Sequence, residues 1–198
     1  MNYSHKKKRL LNISFYTIIG IFIVAIIFGV LYDLILGETE KRLYPRKYSI
    51  YVSKYCKEYG VPEPIAYAVI KTESDFNKNA VSSSDPPALG LMQLTEETYE
   101  WVALLLHEKT TVFGIYDPAT NIRYGIYLLS FLYRRYENWD TAYAAYNAGL
   151  GRVDKWLTDP NYSKDGETLY YIPFTETRNY VKKVNKSREI YERLYYEE

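Results

Sequence analysis

The sequence contains a single cysteine, Cys56, and two histidines, His5 and His107, among 198 residues. One cysteine excludes an intrachain disulfide, and with two distant histidines it makes no zinc-ligand set, so no metal site and no cofactor is expected. A basic excess is missing too. The net charge is +1, and Lys6, Lys7, Lys8 and Arg9 supply four positive charges before the first acid, leaving about −3 on the remainder. A globular part that is not basic lacks the electrostatic footprint of nucleic-acid binding, so no nucleic-acid partner is expected. Alternation of period two is scarce, and there is no internal repeat or low-complexity segment. Missing as well is any second acidic motif beside Lys71-Thr72-Glu73-Ser74-Asp75-Phe76.

What the chain does have begins with an apolar run, 13–36, interrupted by no charge before Asp33. At 1.5 Å per residue, about 20 residues cross the hydrocarbon core of a bilayer. The basic flank on its N-terminal side favours a cytoplasmic N-terminus, with everything after Leu36 outside. A cleaved signal peptide is the competing reading, but its apolar core is shorter and ends in a small-x-small site that this run lacks. The expected organisation is therefore a cytoplasmic basic tail at 1–12, a single-pass anchor at 13–36 and a short tether at 37–47. A globular domain at 48–198 follows. The 24 tyrosines are available as sugar-stacking platforms, although compositional bias explains most of them.

The globular part reads as mainly α. Val52, Tyr55, Cys56 and Tyr59 share one face of a helix that begins near Tyr48 and stops at Gly60 and Pro62. Pro64 suits a first helical turn, and Ile65, Ala68, Val69 and Thr72 continue the stripe to Glu73. Residues 82–87, with Pro86 and Pro87, make a loop. Thr95 is a cap for a helix burying Val102, Leu105 and Leu106. Asp117-Pro118 opens a long helix with Ile122, Gly125, Ile126, Leu129, Leu132, Tyr133 and Tyr136 inside. Further helices start at Asp140 and Arg152, and a last one spans about Glu176 to Tyr195.

Glu73 closes an apolar stripe at the negative end of a helix, a position that raises a carboxyl pKa by burial and by the dipole. Such an acid stays protonated near neutral pH and can protonate a glycosidic oxygen. Ordinary hydrolysis wants a second carboxylate, but Asp75, two positions on, does not share a helix face with Glu73. Judged alone, Glu73 reads better as a merely solvated helix-end residue.

The surrounding motifs change that balance. Glu73-Ser74-Asp75-Phe76-Asn77 and Ala80-Val81-Ser82 are followed by Gly90-Leu91-Met92-Gln93-Leu94 and by Asp117-Pro118 with Asn121-Ile122 and Gly125. Ala145-Tyr146-Asn147-Ala148-Gly149 with Gly151-Arg152-Val153, then Glu176-Thr177-Arg178 with Tyr180-Val181, complete the series. In this order and spacing, the chain over about 61–181 resembles the soluble-lytic-transglycosylase family of peptidoglycan-cleaving enzymes. The resemblance implies a single lysozyme-like domain, mainly α within an α+β superfamily, preceded by the transmembrane helix. It implies peptidoglycan glycan strands as partner and a bacterial cell-membrane location. It also implies that Glu73 is the catalytic acid and then the base, closing a 1,6-anhydro ring on the cut muramoyl residue. Ser74, Ser82, Met92, Gln93, Tyr146, Asn147, Glu176 and Tyr180 would bind substrate, with Met92 packing on a sugar face and Gln93 hydrogen-bonding the glycan.

The chain departs from the family pattern at Pro87-Ala88, where a Gly-Ala pair is usual, and its 82–90 loop is about two residues longer. Glu96 and Leu150 stand where prolines are common. Two other readings stay open: a muramidase that uses water with Asp75, Glu96 or Glu97 as helper, and an inactive glycan-binding scaffold. Glu176 is also readable as a helix N-terminal acid paired with Arg178 or Lys182.

Overall fold

A computed structural model describes residues 3–111 and 113–197; side chains are described from Thr17, except at 33, 34 and 112. The chain divides into two units, residues 1–45 and 46–198.

The first unit is one helix, α1 (Tyr3–Leu43). Its stretch Thr17–Leu43 is long and apolar enough to cross a membrane. Residues 1 and 2 of the expected basic tail lie outside the described residues, as do the side chains of the rest of it. The segment read as a short tether is helical through Leu43. Nothing from Glu38 to Leu43 breaks a helix, Lys41 and Glu38 pair at 3.8 Å, and the first proline is Pro45.

The second unit begins with α2 (Ser49–Tyr59), which buries Val52, Tyr55 and Cys56. It stops where Gly60 turns left-handed at φ 72° and returns its N–H to the Cys56 carbonyl. Cys56 is a free, buried thiol whose pKa burial pushes up, as suits a small core residue. Helix α3 (Glu63–Ser74) follows and buries every residue from Pro64 to Ile70, so it runs through the middle of the core rather than over it. Tyr67, fully buried, stacks on Tyr191 with ring centroids 5.3 Å apart.

After α3, two short strands, β1 (Ala88–Leu89) and β2 (Leu94–Thr95), pair antiparallel with Leu89 opposite Leu94. They form a hairpin that the sequence pattern did not reveal, because two-residue strands carry no periodicity. Helix α4 (Glu96–Leu105) starts from Thr95, whose hydroxyl accepts the Thr98 N–H. It buries Tyr99, Val102 and Ala103, whereas Leu105 and Leu106, expected inside, are half-buried because the helix ends there.

A single 3-10 turn at Gly114–Tyr116 leads into α5 (Pro118–Tyr136), capped by Asp117. Of its expected inner face only Tyr133 is half-buried, stacked on Trp139 at 4.2 Å. Helix α6 (Trp139–Ala148) is capped by Asn138, not started by Asp140. Asp140 falls in the first turn, favourable for an acid, and accepts a hydrogen bond from Asn185. Then come α7 (Leu150–Leu157) and α8 (Thr175–Tyr195). Helix α3 packs most extensively on α8, while α5 packs on α2 and α6. The C-terminal ends of α3 and α6 and the N-terminal end of α8 thereby converge beside the hairpin.

Candidate active site

A cleft of about 370 Å³ opens at this convergence, lined by Glu73, Ser82, Gln93, Tyr146, Asn147 and Glu176 among others. Glu73 occupies the last turn of α3. The chain then makes two successive left-handed residues without glycine, Asp75 (φ 49°) and Phe76 (φ 65°). That conformation costs about 1–2 kcal/mol per residue and persists only where the surroundings over-determine it. Here Phe76 is buried and the Ser74 hydroxyl, within reach of two carbonyls, donates to Leu91 at 2.8 Å or to Ile70 at 3.2 Å. The turn is nailed on both sides, and Glu73 is aimed at the cleft.

Burial pushes the Glu73 carboxyl up to about 7, opposed by the Tyr180 hydroxyl, which donates to Oε1 at 2.7 Å. Tyr180 is itself buried on α8, so it supports the acid from behind. Burial first and the neighbouring Glu73 second push the Tyr146 hydroxyl well above its ordinary range. It remains a proton donor, giving a 2.7 Å hydrogen bond to the Met92 carbonyl.

The Gly90–Gln93 turn is held by Asn121, a fully buried amide on α5. Its Oδ1 accepts the Met92 N–H at 2.8 Å while Nδ2 donates to the Leu89 and Ile115 carbonyls at 3.1 and 2.7 Å. Gly90 is required twice over: φ is 77°, and a Cβ there would meet Asn121 Nδ2 at 2.4 Å. Asp117 and Asn121 are thus cap and clamp, as their positions in the sequence imply.

Four expected substrate contacts come out differently, the first being Tyr180, which is buried behind Glu73 and does not line the cleft. Met92 is fully buried and lies against Gly125, where an added Cβ would meet its sulfur at 2.3 Å. It is a core residue and reaches no sugar. Ser74 bonds the protein backbone and does not line the cleft. Gln93 does line it, but its Nε2 is held by the Ala80 and Gly90 carbonyls at 3.1 and 2.8 Å. Ser82 lines the cleft with its hydroxyl 2.6 Å from that of Ser84 and accepting the Ala88 N–H at 2.8 Å. Asn147 and Glu176 are exposed at the rim. Arg178 does not pair with Glu176; it donates to the Ile172 carbonyl and to the Thr175 hydroxyl.

Thr95, Thr98 and Leu128 also line the cleft; the sequence singles out Thr95 only as a helix cap and the other two not at all. Thr95 and Thr98 carry only the signal of a helix cap, which explains them equally well. None of the carboxylates considered as helpers joins Glu73. Asp75 turns outward onto Lys71, Glu96 lines a separate depression with Tyr99 and Glu100, and Glu97 is exposed outside the cleft. A more open depression of about 570 Å³ lies beside the Arg135–Asp154 ion pair, and its lining includes no buried acid. Among the described residues no cluster of three or more His, Cys, Asp or Glu is placed to hold a metal.

The sequence matches the Transglycosylase SLT domain over residues 50–169. It is 31% identical over 191 residues to membrane-bound lytic murein transglycosylase C of Serratia proteamaculans (strain 568), covering 85% of this chain and 52% of that one. It is 33% identical over 164 residues to the soluble lytic murein transglycosylase of Escherichia coli (strain K12), covering 81% and 24%. Among solved structures, an inactive mutant of lytic transglycosylase Slt from Pseudomonas aeruginosa superposes with a TM-score of 0.66 at 32% identity, over 76% of this chain and 24% of that one. The 70-kDa soluble lytic transglycosylase in complex with bulgecin A gives 0.70 at 28% identity, over 87% and 27%. The chain spans about half the length of the first of these relatives and about a quarter of the others. With most of the globular unit matched and the acid, hairpin and helices arranged around one cleft, the chain belongs to the transglycosylase SLT family.

Proposed function

We propose that this protein is a membrane-anchored lytic transglycosylase that cuts the β-1,4 bond between N-acetylmuramic acid and N-acetylglucosamine in peptidoglycan. Glu73 carries the chemistry. With its pKa near 7, it is substantially protonated at neutral pH and gives that proton to the bridging oxygen as the bond to the anomeric carbon breaks. The bonding pair leaves with that oxygen. The substrate's N-acetyl carbonyl supports the electron-poor anomeric carbon. Glu73, now a carboxylate, takes the proton of the muramoyl 6-hydroxyl as O6 bonds to that carbon. The ring closes as a 1,6-anhydride, no water is consumed, and Glu73 ends as it began.

The observation that supports this reading is Glu73, half-buried in the cleft between Tyr146 and Tyr180; Glu176, the other carboxylate lining the cleft, is exposed at its rim, and Asp75, Glu96 and Glu97 are all elsewhere. A muramidase needs a helper for its water, and none of those three is in position. Ser82, Gln93, Asn147 and Glu176 serve as the polar wall for the sugars. Helix α1 anchors the enzyme, with the basic end in the cytoplasm and the catalytic unit outside, where peptidoglycan lies.

The test is product analysis of purified peptidoglycan digested by the full chain. Anhydro-muramoyl ends detected by mass spectrometry are expected. Borohydride-reducible ends as the main product would assign a hydrolase instead, and equal behaviour of wild type and Glu73→Gln would reduce the protein to a glycan binder.

A further inference from the structure

Helix α2 has two unlike faces. Val52, Tyr55 and Cys56 are buried, while Ile50, Lys54 and Lys57, at i, i+4 and i+7, line the opposite side with Tyr51 on its flank, all exposed. Ile50 is 80% exposed, matched among the described large apolar side chains of the second unit only by Phe113, and Tyr51 is 38% exposed. One open isoleucine is ordinary; its neighbours are not. From Arg46 to Lys57 there are four basic residues and no acid, in a unit whose residues 46–198 carry 19 Lys and Arg against 21 Asp and Glu. Positive charge is gathered at the start of a unit that is otherwise acidic.

The acids nearest this face leave it basic. Glu58 sits on the flank beside Tyr51, Glu63 accepts the Tyr196 hydroxyl at 2.6 Å, and Glu197 is exposed beyond Tyr196. Arg46 is committed to the rings of Tyr195 and Tyr196. Among the described residues no carboxylate pairs with Lys47, Lys54 or Lys57. The chain itself dictates what lies near them. Thr17–Leu43 is 27 residues, about 40 Å of helix, the thickness of a bilayer with its head groups. Only Tyr44 and Pro45 separate α1 from Arg46, a reach of about 10 Å. An isoleucine and a tyrosine ring framed by unpaired lysines match a head-group boundary: the apolar groups enter it, the ring favours it, and the lysine stems lie along it with their ammonium groups on phosphate.

Resting on the membrane anchoring proposed above, we infer that the exposed face of α2 docks on the surface of the same membrane, with Ile50 and Tyr51 in the head-group layer and Lys47, Lys54 and Lys57 on anionic lipid phosphates. The short link limits only distance. Docking adds orientation, so the catalytic unit turns one fixed side to lipid and works on strands lying close above it.

The test uses the full chain in nanodiscs of phosphatidylglycerol or of phosphatidylcholine, with a nitroxide on Ser53→Cys, an exposed position beside this face. Cys56 is buried, and the unsubstituted chain is the labelling blank. Paramagnetic resonance reads collisions of the label with a water-soluble nickel chelate. Each lysine at an anionic surface shifts the docked population about fivefold, so collisions should be several-fold fewer in phosphatidylglycerol. Molar salt or the triple variant Lys47→Glu, Lys54→Glu, Lys57→Glu should erase that difference, and Ile50→Ser should reduce it. Circular dichroism and cleavage of short soluble glycan strands by the triple variant should equal wild type. Equal collisions in the two lipids, or protection unmoved by lysine reversal, would overturn the docking. Protection produced in phosphatidylcholine by added poly(glycerol phosphate), and absent in phosphatidylglycerol, would reassign the face to an anionic wall polymer. A second label, at Phe22→Cys on α1, reads the anchor separately. Nickel exclusion there with an accessible Ser53 site sinks the docking alone, whereas nickel access at Phe22 sinks anchor and docking together.

Discussion

The Tyr180 hydroxyl donates to Glu73 Oε1 at 2.7 Å, joining α8 to α3 across 107 positions of sequence. That bond favours the ionised form of an acid that burial holds neutral. Tyr180→Phe therefore raises the Glu73 pKa further and loosens its aim. The expected outcome is a roughly 10–100-fold fall in kcat/KM, smaller than the about 10²–10⁴-fold that a general acid–base group itself contributes, with the alkaline limb of the pH profile displaced upward. An NMR titration of labelled Glu73 reads the pKa directly; a downward displacement would mean that the hydroxyl is not acting on the carboxylate.

Glu73→Gln should abolish cleavage and leave the fold intact. Its effect on stability depends on pH. Because the folded-state pKa, about 7, lies above the ordinary 4.5, the neutral acid's advantage is full below pH 4.5 and disappears as pH rises through 7. The melting temperature of the glutamine variant should match wild type near pH 4 and exceed it by several °C at pH 8, about 2–4 °C for each kcal/mol. A constant difference across that range would contradict a buried, neutral Glu73.

Met92 and Asn121 are separable by function. Met92→Leu is a volume-conserving core change, expected to cost under about 1.5 kcal/mol and to leave glycan affinity unchanged. Asn121→Leu strands the Met92 N–H and the Leu89 and Ile115 carbonyls, at about 1–3 kcal/mol for each unpaired buried group. Urea denaturation should show a loss of at least ~2 kcal/mol, together with reduced activity as the hairpin loosens.

A chain beginning at Pro45 should be soluble, folded and active on glycan strands. The second unit has its own core, and its first residue, Arg46, lies over Tyr195 at 4.6 Å. Starting instead at Ser49 removes that contact and should lower the melting temperature slightly. Size-exclusion chromatography with thermal melts checks both. Aggregation of the Pro45 form would mean that α1 is part of the catalytic fold.

Local signals made most of the helices legible. Gly60, Pro64, Thr95 and Asp117 mark their ends by backbone chemistry that needs no partner, and the apolar stripe of α3 leads to Glu73 unaided. What stayed hidden depends on residues far apart in sequence. Met92 faces inward because Gly125, 33 positions on, leaves room for it. The amide of Gln93 turns to Ala80. Tyr180 backs Glu73 only because α3 and α8 pack together. The helical continuation to Leu43 has no local signal of its own: a polar stretch with one glycine and no cap carries no apolar stripe to mark it as helix.

The direction of the hydrogen bonds around the cleft has a consequence for what can enter it. Gln93 gives its N–H groups to carbonyls, and Tyr146 gives its proton to Met92. These two lining side chains therefore turn lone pairs, not protons, toward a visitor. A guest rich in O–H and amide N–H groups is welcomed there, while an ether- or ester-capped analogue, able only to accept, would find no answering hydrogen from either residue.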